Sequence, residues 1–322
     1  MYTKFMMAFV TAAVIAVIPG ISRAAETVLR AVSSFQEGGD VTRNFEQFVT
    51  KANSEGKGNV RLNFLGGPKV MPPFEVGKAV KTGVVDMAFV TGAFYTNIMP
   101  EALSLMYTDL TGEQQRSSGA LDVINDIWSK KMNVFYLARG LDHAPYHIYL
   151  NKKIDKLDLT GLRIRVTPVH HDIAVKLGAI AVTLPPGEVF GALERGLIDG
   201  YIYPVLGIFD LGWQEKTMYR VEPGFYNSEI GVLVNLDKWK SLSPEQQAFL
   251  KKQAESLEKM GKDYIRINEN EKKRQTAAGI KTLAFSGKEA DDFLKRANDV
   301  AWDSVVSKNP ATGRQLKEKL AK

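Results

Sequence analysis

The sequence has 322 residues, with 42 basic and 36 acidic side chains, four histidines and no cysteine. The absence of cysteine excludes disulfides, thiolate nucleophiles and cysteine-based metal sites. Basic residues are scattered among acidic ones, without the aromatic-interleaved basic stripe typical of nucleic-acid binding, so no nucleic-acid partner is expected.

Residues 1–24 predict a secretory signal peptide. A positive charge precedes an apolar run over residues 5–18, and Pro19-Gly20 breaks this run before the small residues Ser22 and Ala24. The run is shorter than the roughly 20 apolar residues that a membrane-spanning helix needs. We therefore expect cleavage after Ala24 and a periplasmic mature protein, long enough for two domains.

The mature sequence opens with a predicted β-α-β unit. Residues 28–34 are typical of a strand, apolar residues recur at helical spacing over 45–52, and apolar and polar residues alternate over 59–65. Gly56 ends the helix, and the turn at Gly66-Gly67-Pro68 ends the second strand. This order of elements predicts the start of an α/β lobe.

An internal repeat predicts a second lobe. Residues 72–86 and 185–199 align at a constant offset of 113 with seven identities in fifteen positions. In each copy Pro-Pro opens a helix, a glycine ends it, and an aspartate precedes a further strand. A strand at 162–167 and a helix at 169–177 precede the second copy, which predicts two lobes, each based on β-α-β-α-β.

The strand ends of the two lobes predict where a ligand binds. Parallel α/β units bind ligands outside the carboxyl ends of their strands. In the first lobe the predicted ends include residues 33–37 and 90–95, and in the second they include 166–171 and 201–206. Two such edges that face each other form a cleft between lobes, which is a common place for a small-molecule site.

A long helix is predicted after Asn235, with its N-terminal signals at Ser243 to Gln246. Ser243 and Gln246 form a capping box, and an amphipathic pattern continues to about Arg274 with Gly261 as its only interruption. This length suits a helix that bridges two lobes. The predicted division is residues 25–136 with 229–272 for the first lobe and hinge helix, and 137–228 with 273–322 for the second.

The histidines do not predict a metal site. Pro145 separates His143 from His147, and a strand is predicted over 148–150, so this pair should not share a helix face. The side chains of His170 and His171 are expected to diverge in a solvated loop or helix start. No Gly-x-Ser-x-Gly elbow, Walker A loop or dinucleotide fingerprint is present. The usual sequence signatures of nucleophilic and nucleotide chemistry are therefore missing.

Arginines at strand ends are the best candidates for binding a ligand. Arg163 and Arg165 share one face of the strand by alternation, and Arg139 ends an earlier strand. The planar guanidinium donates two parallel hydrogen bonds to a carboxylate. On spacing alone, the alternative that these arginines are surface charges stays open.

Several segments of the chain resemble the solute-binding proteins of TRAP transporters. They are Leu159-Thr-Gly-Leu-Arg-Ile-Arg-Val-Thr-Pro168, Leu177-Gly-Ala179, residues 185–200, Leu65-Gly-Gly-Pro68 and Gly83-Val-Val-Asp86. The resemblance implies a two-lobed α/β periplasmic binding protein with a long hinge helix, which is not an enzyme and needs no cofactor. It also implies that a small organic carboxylate binds through Arg165, with Arg139 as a second contact, and passes to small and large membrane subunits.

The remaining predicted ligand-binding residues come from strand ends and nearby aromatic segments. They are Phe35, Gln36, Thr91, Phe94, Tyr203, Trp213 and Asn227. Tyr203 occupies a position where relatives commonly have asparagine, and Thr91 and Phe94 lie where relatives that bind sugar acids often have charged residues. These departures favour a monocarboxylate with an apolar or aromatic body.

Two alternatives remain from the sequence. A periplasmic hydrolase or lyase would use cleft carboxylates, for which Asp142, Glu37 and Glu229 are candidates. The second alternative is a binding protein for an ATP-driven importer, which the motifs disfavour although the composition does not.

Overall fold

A computed structural model describes residues 26–321, so the predicted signal peptide lies outside the described residues. The strands in this range are β1 (Thr27–Ser33), β2 (Val60–Gly66), β3 (Met87–Val90), β4 (Val134–Leu141), β5 (Pro145–Leu150), β6 (Arg163–Val166), β7 (Ile180–Thr183), β8 (Gly200–Pro204), β9 (Tyr219–Glu222), β10 (Phe225–Asn227), β11 (Ile230–Asn235) and β12 (Lys281–Ala284). The α-helices are α1 (Arg43–Glu55), α2 (Val76–Lys81), α3 (Gly112–Ser117), α4 (Ala120–Met132), α5 (Pro168–Lys176), α6 (Pro186–Glu194), α7 (Leu236–Ser241), α8 (Pro244–Lys259), α9 (Asp263–Ala277), α10 (Gly287–Lys308) and α11 (Pro310–Leu320).

The strands form two separate sheets. The first has the order β2-β1-β3-β11-β4, with β1 parallel to β2 and β3, and with β11 antiparallel to both of its neighbours. The second has the order β12-β9-β5-β8-β6-β7, and β10 pairs with β5. This arrangement confirms the two-lobed α/β fold predicted from the sequence.

Helix α1 shows how the apolar pattern positions the first lobe. Phe45, Phe48, Val49 and Ala52 are all buried in one core with apolar residues of β1 and β2. The helix ends at Gly56 as predicted, because the Gly56 N–H bonds the Ala52 carbonyl and a Cβ at this position would lie 2.5 Å from the Val60 carbonyl oxygen. The predicted β-α-β start is therefore present.

The internal repeat corresponds to the same local structure in both lobes. Gly83 and Gly196 both have positive φ, 75° and 64°, at the ends of α2 and α6. Asp86 accepts hydrogen bonds from the backbone N–H and the guanidinium of Arg30, and Asp199 accepts the same set from Arg163. The repeated aspartate therefore fixes the turn after the helix to the neighbouring strand.

We expect Asp199→Ala to lower the free energy of unfolding by about 1–3 kcal/mol. The reason is that the backbone N–H of Arg163 loses the carboxylate that accepts its hydrogen bond in the folded protein. Arg163→Met is the matched control. It removes a partly exposed ion pair worth about 0–1 kcal/mol but keeps Asp199 as acceptor for that N–H. Urea unfolding of both variants measures the difference, and equal losses would contradict this role of Asp199.

The chain crosses between the lobes at three places close together, and a fourth time along α10, whose Phe293 packs in the core of the second lobe and whose Trp302 packs in the core of the first. The first two are 142–144, between β4 and β5, and 228–229, between β10 and β11. The predicted boundary after residue 136 is wrong, because it cuts β4, which pairs with β11 in the first sheet over its whole length. The first lobe therefore extends to Leu141.

The third crossing is the predicted hinge helix, which is not continuous. The capping box of Ser243 and Gln246 opens α8 as predicted, but a 3₁₀ turn over Met260–Lys262 separates α8 from α9. Gly261 lies in this turn against Asp142 of the first crossing, since a Cβ there would lie 3.2 Å from the Asp142 Cβ. The break thus falls where the three crossings meet.

The C-terminal helices do not all belong to the second lobe. Trp302 and Val305 of α10 and Leu316 and Leu320 of α11 are buried in the core of the first lobe. The assignment of residues 273–322 to the second lobe is therefore wrong for this end of the chain, because its apolar face packs on the other lobe. Within residues 26–321, no helix combines the length and the apolar character needed to cross a membrane.

Candidate functional site

A cavity lies between the two lobes, at the strand ends predicted to hold the ligand. It is lined by Phe35, Val41, Thr91, Ala93, Phe94, Leu141, Tyr146, Arg165, Thr167, His170, Tyr203, Pro204, Leu206, Ser228 and Ile230. The volume of this cavity is about 30 Å³, so the side chains of the two lobes lie close together around it.

Arg165 is a fully buried guanidinium in this cavity. Its Nε donates to the Leu184 carbonyl at 2.9 Å and its Nη1 to the Ile202 carbonyl at 3.4 Å. Among residues 26–321 it forms no ion pair, and its Nη2 has no hydrogen-bond partner. Burial lowers the pKa of Arg165 to about 10, so the group still carries a positive charge at neutral pH.

Arg163 lies two residues earlier on β6, but its guanidinium does not line the cavity. It pairs with Asp199 near the surface, and its side chain is 39% exposed. Alternation along β6 places both arginines on one face of the strand, but they lie at opposite ends of it. The carboxyl end of β6 meets the cavity, whereas its start faces solvent.

His170 is the second buried polar group with an unused nitrogen at the cavity. Its Nδ1 lies 3.1 Å from the Thr167 hydroxyl, and its Nε2 has no partner among the described residues. Burial and then the charge of Arg165 hold the pKa of His170 well below its usual value, so the ring is neutral. The expectation that this histidine lies in a solvated segment is wrong, because α5 begins at the cavity.

Aromatic rings form much of the rest of the site. On the second lobe, the Tyr203 ring packs against Trp213 with centroids 4.7 Å apart, and the Arg165 guanidinium lies 5.9 Å from the centre of either ring. On the first lobe, Phe35 packs against Phe94 at 5.7 Å. These contacts place apolar surface around the Arg165 guanidinium.

Arg139 does not line the cavity and has acidic neighbours of its own. Its Nε donates to Asp142. Burial acts to lower the pKa of Arg139, but the charges of its neighbours, Asp142 first, outweigh burial and raise it. Its Nη2 reaches only the Ser228 carbonyl, at 3.4 Å. The predicted second ligand contact is therefore engaged within the first lobe.

None of the carboxylates considered for an enzyme lines the cavity. Glu229 accepts hydrogen bonds from the Tyr136 hydroxyl at 2.6 Å and the Gly92 N–H at 3.0 Å, and Asp142 bonds Arg139. Glu37 accepts from the Gly67 N–H at 3.2 Å. Each of these carboxylates therefore bonds another group of the protein and lies outside the lining of the cavity.

The predicted site residues fall into two groups in the structure. Those that line the cavity are Phe35, Thr91, Phe94, Arg165 and Tyr203, and those that do not are Gln36, Arg139, Trp213 and Asn227. Trp213 packs edge-on against Tyr203, and Asn227 donates to Asp109 at 3.0 Å. Gln36 lines a neighbouring cavity, which shares Phe35, Val41 and Tyr203 with the first.

Sequence reasoning missed four polar residues of the cavity, which are Tyr146, Thr167, His170 and Ser228. A signal for two of them was present. Thr167 and His170 directly follow the strand of Arg165, at the start of a helix on the ligand-binding edge of an α/β lobe. Tyr146 and Ser228 lie beside interlobe crossings, whose position only the sheet order reveals.

Comparison with known proteins identifies the family. The model of the family DctP, described as bacterial extracellular solute-binding protein, family 7, matches residues 34–309. The chain belongs to this family. The family predicted from the sequence is thereby confirmed, together with the periplasmic location and the conclusion that the protein binds a solute and is not an enzyme.

Individual relatives are similar over most of the chain. A monocarboxylate 2-oxoacid-binding periplasmic protein of Nostoc sp. is 26% identical over 275 residues, which cover 81% of this chain and 73% of the relative. A Bordetella pertussis extracytoplasmic solute receptor binding pyroglutamic acid has a TM-score of 0.79 at 18% identity, over 92% of this chain and 100% of the receptor. A TRAP periplasmic solute-binding protein from Pseudoalteromonas atlantica, with bound sodium and pyruvate, has a TM-score of 0.78 at 16% identity, over 92% and 93%.

Proposed function

We propose that this protein captures a small monocarboxylate in the interlobe cavity through Arg165 and delivers it to the membrane subunits of a TRAP transporter. The observation that carries the proposal is the buried guanidinium of Arg165, which has an unpartnered Nη2 and no acidic partner among residues 26–321. A buried charge without a partner is costly, and a ligand carboxylate supplies both the charge and the hydrogen-bond acceptors.

The composition of the cavity supports an acid with a small apolar body. Apart from Arg165, the polar lining side chains are neutral, and most of the remaining surface is aromatic or aliphatic. A polyhydroxylated acid would leave several hydroxyl groups unpaired on burial, at about 1–3 kcal/mol each. The 2-oxoacid, pyruvate and pyroglutamic acid named for the relatives are all small carboxylates, which agrees with this reading.

Contacts across the cleft support capture by closure. The Asp40 N–H of the first lobe donates to Asp210 of the second at 2.8 Å, and the Tyr107 hydroxyl donates to the Val169 carbonyl at 3.2 Å. Both contacts join the two lobes in the described structure. A hinge at the three neighbouring crossings would let the ligand enter before such contacts form.

We expect the protein to bind 2-oxobutanoate more tightly than glucuronate. We also expect the complex with 2-oxobutanoate to have a smaller radius of gyration than the unliganded protein. Calorimetric titration measures the affinities, and small-angle scattering measures closure. Tyr203→Asn should reduce the preference for 2-oxobutanoate over glucuronate, because an amide that can bond a ligand hydroxyl replaces a ring face beside Arg165. A wild type that binds glucuronate more tightly than any apolar-bodied acid would contradict the proposed ligand class.

A further inference from the structure

We propose that His170 is a specificity-determining residue, whose Nε2–H donates a hydrogen bond to the 2-oxo oxygen of a carboxylate held by Arg165. The inference rests on the proposed function and adds the group that distinguishes a 2-oxo acid from the same acid without its oxo oxygen. It depends on the position of the ring, on the state of its two nitrogens and on its distance from solvent.

The position of His170 is fixed by its neighbours. It lies in the first turn of α5, where its ring packs edge-on against Tyr146 with centroids 4.2 Å apart and against Phe225 at 6.2 Å. The residue is 1% exposed and lines the same cavity as Arg165. The ring is therefore held in one place, next to the site of the ligand carboxylate.

The Thr167 hydroxyl favours one of the two neutral forms of the His170 ring. Among the described residues this hydroxyl forms one hydrogen bond, to Nδ1 of His170, and it does not cap α5. Thr167 is buried, so a hydroxyl that only accepted from Nδ1 would leave its own hydrogen unpaired. The favourable arrangement has Thr167 donating to Nδ1, which places the hydrogen of the neutral ring on Nε2.

The Nε2–H is then a buried donor without an acceptor in residues 26–321. An oxo oxygen on the carbon next to the ligand carboxylate is an acceptor only, and it complements this donor. An acid without that oxygen leaves the donor unpaired when the cleft closes. The loss of about 1–3 kcal/mol corresponds to about 5- to 150-fold weaker binding.

The test compares 2-oxobutanoate with butanoate, which differ in the oxo oxygen. By calorimetry we expect wild type to prefer 2-oxobutanoate by about 5- to 150-fold. His170→Asn has no atom at the position of Nε2 and should bring the two affinities to within about threefold. His170→Gln, whose amide nitrogen reaches that position, should keep more of the preference than His170→Asn.

The matched control is His171→Asn. His171 is the next residue along the chain, but its ring faces Asp172 near the surface, so this variant should keep the wild-type ratio. A purely structural role of His170 would weaken both acids equally and leave the ratio unchanged, which would overturn the proposal while the carboxylate site stands. A wild type that binds neither acid would overturn the proposed function as well.

A measurement on wild type keeps the inference testable if the His170 variants do not fold. Proton–nitrogen correlation spectra of ¹⁵N-histidine-labelled protein show which ring nitrogen carries the hydrogen. We expect Nε2 of His170 to be protonated, and its signal to move with 2-oxobutanoate differently from butanoate. A hydrogen on Nδ1, or the same response to both acids, would overturn the assignment.

Discussion

Arg165→Lys is expected to weaken the binding of 2-oxobutanoate by about 30-fold to several thousand-fold, which corresponds to about 2–5 kcal/mol. Lysine keeps the positive charge but loses the planar fork that donates two parallel bonds to a carboxylate. It also loses the Nε bond to the Leu184 carbonyl, which holds the guanidinium at the carboxyl end of β6. Calorimetric titration measures the loss.

Arg163→Lys is the matched control for this experiment. It makes the same change two residues away on the same strand, where the side chain pairs with Asp199 near the surface and does not line the cavity. We expect its affinity to equal that of wild type. If Arg165→Lys folds and binds within a few-fold of wild type, the ligand carboxylate is bound by another residue.

The repeat and the strand alternation made much of the fold predictable. The aligned glycines end helices, and the aligned aspartates bond an arginine of the neighbouring strand, so the same residues recur for the same physical reason in both lobes. Arg165 could be selected because the family motif and the strand-end position agree. In each case the repeated segment or the motif marks the residue before its partner is known.

Other features depend on which segments meet in three dimensions. Arg139 and Arg165 both lie near strand ends, but the sequence does not show that Asp142 turns back onto Arg139 while no carboxylate reaches Arg165. The lobe boundary requires knowing that β4 pairs with β11, almost 100 residues later in the chain. The packing of α11 on the first lobe likewise depends on contacts between distant segments.

The two buried arginines, Arg139 and Arg165, should contribute differently to the stability of the protein. Arg139→Met is expected to lower the free energy of unfolding by about 3–5 kcal/mol, because it leaves buried acids without their counter-charge. Asp142 and Glu229 are fully or almost fully buried, and the pKa of Glu229 is already raised by burial although Arg139 opposes that shift. Removing Arg139 takes away this compensation.

Arg165→Met is the matched control, since it makes the same change at an equally buried arginine that has no acidic partner in residues 26–321. We expect the stability of the unliganded protein to be unchanged or raised, while binding of 2-oxobutanoate is lost. Urea unfolding without ligand and calorimetry with ligand separate the two variants. Equal destabilisation by both would contradict the distinction between a guanidinium neutralised within the protein and one that awaits a ligand.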